Sequence, residues 1–131
     1  MSVVDECGDV MAVRNCRDLV VWQKAMKLAE EIYALSAGFP PDERFALTNQ
    51  IRRAVVSIPS NVAEGEGRSS KQDFRRFLNI AMGSLREVET QLELAIRLRY
   101  ASNENAKISL DLADEVGRML RGLAKSLEAQ D

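Results

Sequence analysis

Histidine is absent from all 131 residues, and this absence removes more chemistry than any motif in the chain supplies. Without it there is no Ser-His-Asp or Cys-His nucleophile, no imidazole general base and no Glu-x-x-His di-iron site in a helical bundle. Any enzyme built on this chain would have to work with carboxylates, lysines or hydroxyls. Cysteine is nearly as scarce, with Cys7 and Cys16 both in the N-terminal segment. Structural zinc takes four ligands in closely spaced pairs, so these two fit reduced thiols in a loose segment better than a metal site. A disulfide between them would be unusual in a cytosolic protein. No apolar run escapes interruption by charge, so no segment reads as a bilayer span. The opening Met1-Ser2-Val3-Val4-Asp5-Glu6 is acidic and lacks the basic lead of a secretory signal. The chain is therefore expected in the cytoplasm, with no membrane partner.

What is present describes one ordinary globular domain. Hydrophobic residues make up 46% and charged residues 29%, which excludes intrinsic disorder. The length suits a single domain with a real core. Apolar periodicity predicts four helices. The first starts at Asp18 as N-cap and carries two adjoining stripes, Trp22, Met26, Ala29 and Tyr33 beside Ala25, Leu28, Ile32 and Leu35. Gly38-Phe39-Pro40-Pro41 ends it.

The second helix begins near Asp42 and keeps Leu47, Ile51, Val55, Ile58 and Val62 on one face. Pro59 falls inside that pattern and should kink the helix without ending it. Such a kink would re-aim Asn61 towards the turn, where Gly65 and Gly67 stop the helix. The third helix, capped by Ser69 or Ser70, repeats Phe74, Leu78, Ala81, Leu85, Val88, Leu92 and Ala95 in alternating steps of four and three, a heptad pattern. The fourth, from about Asn105 to Glu128, places Ile108, Leu112, Val116, Met119, Leu123 and Leu127 on one face. No period-two alternation bounded by turn chemistry occurs. The fold class is all-α, an up-and-down four-helix bundle.

Charge is unevenly placed. Between Arg44 and Arg76 seven basic residues face three acidic ones, so a mildly acidic protein holds a basic region. Arginine dominates that region, and its planar fork suits phosphate oxygens. Arg52, Arg53, Arg68, Lys71, Arg75 and Arg76 are the candidate phosphate contacts for a nucleic acid. A solvated polar face with intrahelical ion pairs accounts for the same charge pattern equally well. Glu87, Glu89 and Glu93 form a second constellation, but carboxylates without histidine suit only hard cations, and no metal or other cofactor is expected. Gly65-Glu66-Gly67-Arg68 is no phosphate-loop fingerprint, because no strand precedes it. Trp22 belongs to core packing or a subunit interface.

Three segments resemble a known family. They are Asp18-Leu19-Val20-Val21-Trp22-Gln23-Lys24-Ala25, then Ser57-Ile58-Pro59-Ser60-Asn61-Val62-Ala63-Glu64-Gly65-Glu66-Gly67-Arg68, then the run from Phe74 to Leu92 with Gly83-Ser84-Leu85 and Glu87-x-Glu89-Thr90-Gln91-Leu92. The family is the bacterial four-helix bundle proteins named after intervening sequences in 23S ribosomal RNA genes. The likeness covers residue 18 to about residue 125, with the middle segment the most specific. A structurally similar relative is the accessory variability determinant of diversity-generating retroelements, a pentameric ring that binds nucleic acid and a reverse transcriptase. The resemblance implies a ring-like homopentamer of bundles with RNA or DNA as leading partner, and no enzyme activity. A protein-interaction scaffold for a partner such as a polymerase or reverse transcriptase is the alternative. Residues 1–17 fall outside the likeness and are expected to form a poorly ordered arm, with the bundle domain at 18–131.

Overall fold

In the computed structural model, which describes residues 13–129, four helices follow one another: α1 (Val13–Ser36), α2 (Leu47–Glu66), α3 (Lys71–Arg97) and α4 (Asn103–Ala129). The described residues form no strand. Each helix packs on its neighbours in the chain and α1 closes on α4, while among the described residues the backbones of neither diagonal pair come close. That is the square arrangement of an up-and-down bundle. No helix among the described residues is long and apolar enough to cross a membrane.

The heptad reading of α3 matches its packing, since Phe74, Leu78, Ala81, Leu85, Val88, Leu92 and Ala95 are all buried. Ser70 caps the helix by accepting a hydrogen bond from the Asp73 amide at 3.0 Å. At the other end, Tyr100 N–H donates to the Ala95 carbonyl at 2.9 Å and Arg99 N–H to Ile96 at 3.0 Å. These two bonds form a Schellman motif, whose left-handed position is filled by Arg99 at φ 66° instead of glycine.

Helix α1 begins at Val13, so Asp18 lies inside it and is not its cap. Only one of its two stripes is core: Val21, Ala25, Leu28 and Ile32 are buried, Trp22, Met26 and Ala29 are half-buried, and Tyr33 is exposed. The poorly ordered arm expected at the N-terminus lies, for residues 1–12, outside the described residues, as does Cys7.

Asp42 starts no α-helix. It sits in a single 3-10 turn, Pro41–Glu43, and α2 opens at Leu47. The Leu47 amide is received by Glu43 Oε1 at 3.1 Å, which satisfies a donor that Ala46 at the N-cap cannot. Leu47, Ile51, Val55, Ile58 and Val62 are buried as the spacing requires. The helix runs unbroken through Pro59 and also through Gly65, with Gly67 as its C-cap. Asn61 does not reach the turn. Its amide donates back one turn to the Ser57 carbonyl at 2.8 Å and to Ser57 Oγ at 2.9 Å.

Gly65 is required by proximity. A Cβ there would stand 2.8 Å from Phe77 Cβ and 2.9 Å from Phe74 Cδ1. Its backbone φ is not positive, so packing of α2 on α3, and not turn geometry, demands the glycine. Midway along the same seam Ser57 Oγ and Ser84 Oγ lie 2.8 Å apart, and either hydroxyl can supply the proton. Near the start of α4 the inward positions are Ala106 and Ser109, so Ile108 is exposed and not core. Met119 is half-buried, and Leu120 takes the core place beside it.

Candidate nucleic-acid interface

The six candidate cations do not form one cluster. Arg52 and Arg53 lie near the start of α2, and Arg68, Lys71, Arg75 and Arg76 surround the α2–α3 turn. From Arg53 to the end of α2 at Glu66 the helix rises roughly 20 Å, and Arg68 lies just beyond it.

In the first group the two neighbours have opposite duties. Arg52 is half-buried and lies against the end of α1. Its Nε donates to Ser36 Oγ at 2.8 Å and its Nη2 to the Tyr33 carbonyl at 3.1 Å. Its guanidinium sits 4.6 Å from the Tyr33 ring centroid. Cations are favoured at helix C-termini, where carbonyls lack helical partners, so Arg52 is a strut between α1 and α2. Arg53 is exposed, one position round the helix, with Asn49 and Ser60 on the same outer face.

The second group is organised by an aromatic ring. Phe77 is half-buried beneath the turn, held there by the close approach of Gly65. The Arg68 guanidinium lies 4.9 Å from its ring centroid and that of Arg76 lies 4.5 Å away. Guanidinium groups are attracted to aromatic faces, and the ring fixes side chains that would otherwise sweep through solvent. Each arginine also touches one carboxylate, Arg68 meeting Glu64 at 2.6 Å and Arg76 meeting Asp73 at 3.2 Å. Both cations remain open to water, with side-chain exposures of 41% and 56%. Exposed pairs of this kind hold by about 1 kcal/mol or less, so their carboxylates are exchangeable.

Arg75 does not project free of the bundle. It is half-buried, and its Nη1 donates to the Leu127 carbonyl at 3.4 Å, tying the start of α3 to the end of α4. Lys71 is half-buried at the first turn of α3. A shallow open recess beside this turn is lined by Ser70, Gln72, Asp73, Arg75, Arg76 and Asn79.

Two of the three glutamates of α3 are paired with arginines of their own helix. Glu89 pairs with Arg86 at 3.2 Å and Glu93 with Arg97 at 2.9 Å, both on the exposed surface. Among the described residues no three His, Cys, Asp or Glu side chains converge on one point. The feature that sequence reasoning misses is Phe77. Its only signal in the sequence is an aromatic beside Arg76 and away from the heptad stripe.

The outer surface also carries apolar side chains. Val20 and Tyr33 on α1, Val56 on α2, Ile80 and Leu94 on α3 and Ile108 on α4 are all exposed. Phe45, just before α2, is the most open of them at 84%.

The family described as 23S rRNA-intervening sequence protein matches residues 17–122. Among solved structures, the chain is similar to a protein of unknown function from the S23 ribosomal protein family of Bacteroides thetaiotaomicron. The two share 32% identity and superpose with a TM-score of 0.77, over 83% of this chain and 98% of that one. No curated protein matches the chain.

Proposed function

The chain belongs to the 23S rRNA-intervening sequence protein family, and from that premise we propose a non-enzymatic, oligomeric, cytoplasmic protein that binds RNA or DNA through phosphate contacts. The observation that carries the reading is the pair Arg68 and Arg76, exposed and held on one aromatic ring at the α2–α3 turn. Arg53 extends the footprint along α2, and Lys71 adds charge at the turn. Arg52 and Arg75 support it from beneath, since both hold helices together. Such contacts carry no sequence information, so selectivity would come from nucleic-acid shape or from a partner.

The test is a titration of labelled RNA and DNA across a salt series. Replacing Arg68 and Arg76 with alanine should weaken both nucleic acids alike. It should also reduce the log-log salt slope by roughly 0.7 to 0.9 for each phosphate that is no longer neutralised. An unchanged slope would reject the assignment.

The assembly read here is a homopentamer, supported by the family likeness and by the apolar side chains left exposed on α1 and α3. Light scattering that gave a monomer at micromolar concentration would reject it. Phe45 favours a second reading, a scaffold for a protein partner, because an aromatic so open is typical of an interface anchor. Under that reading Phe45→Ala abolishes partner capture, and nucleic-acid affinity is absent in the parent protein.

A further inference from the structure

We infer that Arg68, Arg76 and Phe77 form a single clamp for a phosphodiester strand, and that Glu64 and Asp73 occupy it as internal competitors until a polyanion displaces them. The inference rests on the nucleic-acid reading above and adds its ligand geometry and its control.

Three observations carry it. The first is the shared ring. Two guanidiniums at 4.9 and 4.5 Å from one centroid stand no more than the sum of those distances apart, within reach of consecutive phosphates of the same strand. Left to themselves, two such cations would repel and drift apart. The Phe77 ring offsets that repulsion by attracting both.

The second is the rigidity of the mount. Phe77 belongs to α3 and Arg68 to the turn after α2, so the clamp spans two helices. Gly65 holds those helices at backbone contact, with no room for a methyl group between it and Phe77 Cβ. The clamp is therefore set by the fold before any ligand arrives, which lowers the entropic cost of capture.

The third is the state of the two cations. Each arginine is met by one carboxylate from its own helix or turn, Glu64 four residues before Arg68 and Asp73 three residues before Arg76. A carboxylate presents the same pair of acceptor oxygens to a guanidinium that a phosphate does. A lone monoanion gains little by displacing one of them. A strand that presents phosphates to both arginines replaces the two together, and the second replacement is intramolecular. The clamp should thus discriminate a polyanionic strand from free inorganic phosphate.

The experiment compares three full-length proteins against a fluorescein-labelled single-stranded RNA of random sequence at low salt. They are the parent, Glu64→Gln with Asp73→Asn, and Glu89→Gln with Glu93→Gln. The last variant frees two arginines by the same charge change elsewhere on α3. Circular dichroism confirms the fold of each. The expected result is a roughly two- to twentyfold gain in affinity for the first double variant and a smaller gain for the second. Inorganic phosphate at millimolar concentration should compete poorly with the parent and better with Glu64→Gln/Asp73→Asn. A further arm, Phe77→Leu, keeps apolar packing but removes the ring, and should weaken RNA binding without loss of helix content. Equal gains in the two double variants, or binding by the parent with no gain in the first, overturn the clamp alone. No RNA binding by any of the three proteins overturns the nucleic-acid reading and the clamp with it.

Discussion

Tyr100 donates its hydroxyl to Glu43 Oε2 across 2.8 Å, joining the connection after α3 to the one after α1 at the same end of the bundle. The carboxylate also receives the Leu47 amide, and the Tyr100 ring lies 5.7 Å from that of Phe39. One glutamate thus starts α2 and anchors a loop. The Tyr100 bond, then the Leu47 bond, lower the Glu43 carboxyl below its ordinary 4.5. The same carboxylate raises the Tyr100 phenol above its ordinary 10.0.

The pH dependence follows from these directions. The Glu43 contribution to stability is fully present above its ordinary value and is lost as pH falls through the lowered one. That of Tyr100 is fully present below its ordinary value and is lost as pH rises through the raised one. Tyr100→Phe should therefore lower the melting temperature at neutral pH, and its stability should fall less than the parent's on acidification. Thermal melts at pH 7 and pH 3 check this. A parallel loss in both proteins would count against it.

Arg52 and Arg53 should separate cleanly. Arg52→Ala removes two hydrogen bonds to the end of α1 and leaves the buried Ser36 hydroxyl with only its bond to the Tyr33 carbonyl. The expected cost is about 1 to 2 kcal/mol. Arg53→Ala should lie within about 0.5 kcal/mol of the parent. Urea denaturation measures both.

Arg99→Gly should stabilise the protein. The left-handed φ of 66° strains any residue with a Cβ, and glycine would relieve about 0.5 to 1 kcal/mol. A shifted urea midpoint with an unchanged slope is the expected reading.

Gly65→Ala should destabilise, although alanine is the better helix former by about 1 kcal/mol. The added methyl meets Phe77 Cβ, which cannot swing aside, and the buried Phe74 ring. Overpacking of this kind costs about 1 to 3 kcal/mol. A midpoint raised above the parent's would show that the helices can part there.

Much of the fold was legible because heptad spacing fixes a buried face wherever one stripe is clearly more apolar than its surroundings. That condition held for α3 and α2. It failed for α1, where two stripes were equally apolar and only the positions of α2 and α4 decide between them. It failed again at Ile108, which keeps the spacing to Leu112 but lies near the start of α4, where Ala106 and Ser109 take the inward places. In the candidate interface, the pairs Glu64–Arg68 and Asp73–Arg76 follow from their sequence spacing. The role of Phe77 does not, because it depends on how near Gly65 lets α2 come. Nor do the engagements of Arg52 and Arg75, whose partners lie on other helices.

The square of helices also implies an order of assembly. Helices α2 and α3 are joined by the turn at 67–70 and share the most extensive of the four helix–helix seams, so their pairing closes a short loop. Packing of α1 on α4 closes nearly the whole chain, which costs more loop entropy. A folding nucleus at the α2–α3 hairpin follows, with α1 and α4 docking late. Kinetically, Gly65→Ala should slow folding, whereas Leu123→Ala, on the α1–α4 side, should chiefly hasten unfolding. The seam that positions the Phe77 ring would then be the first part of the molecule to reach its native form.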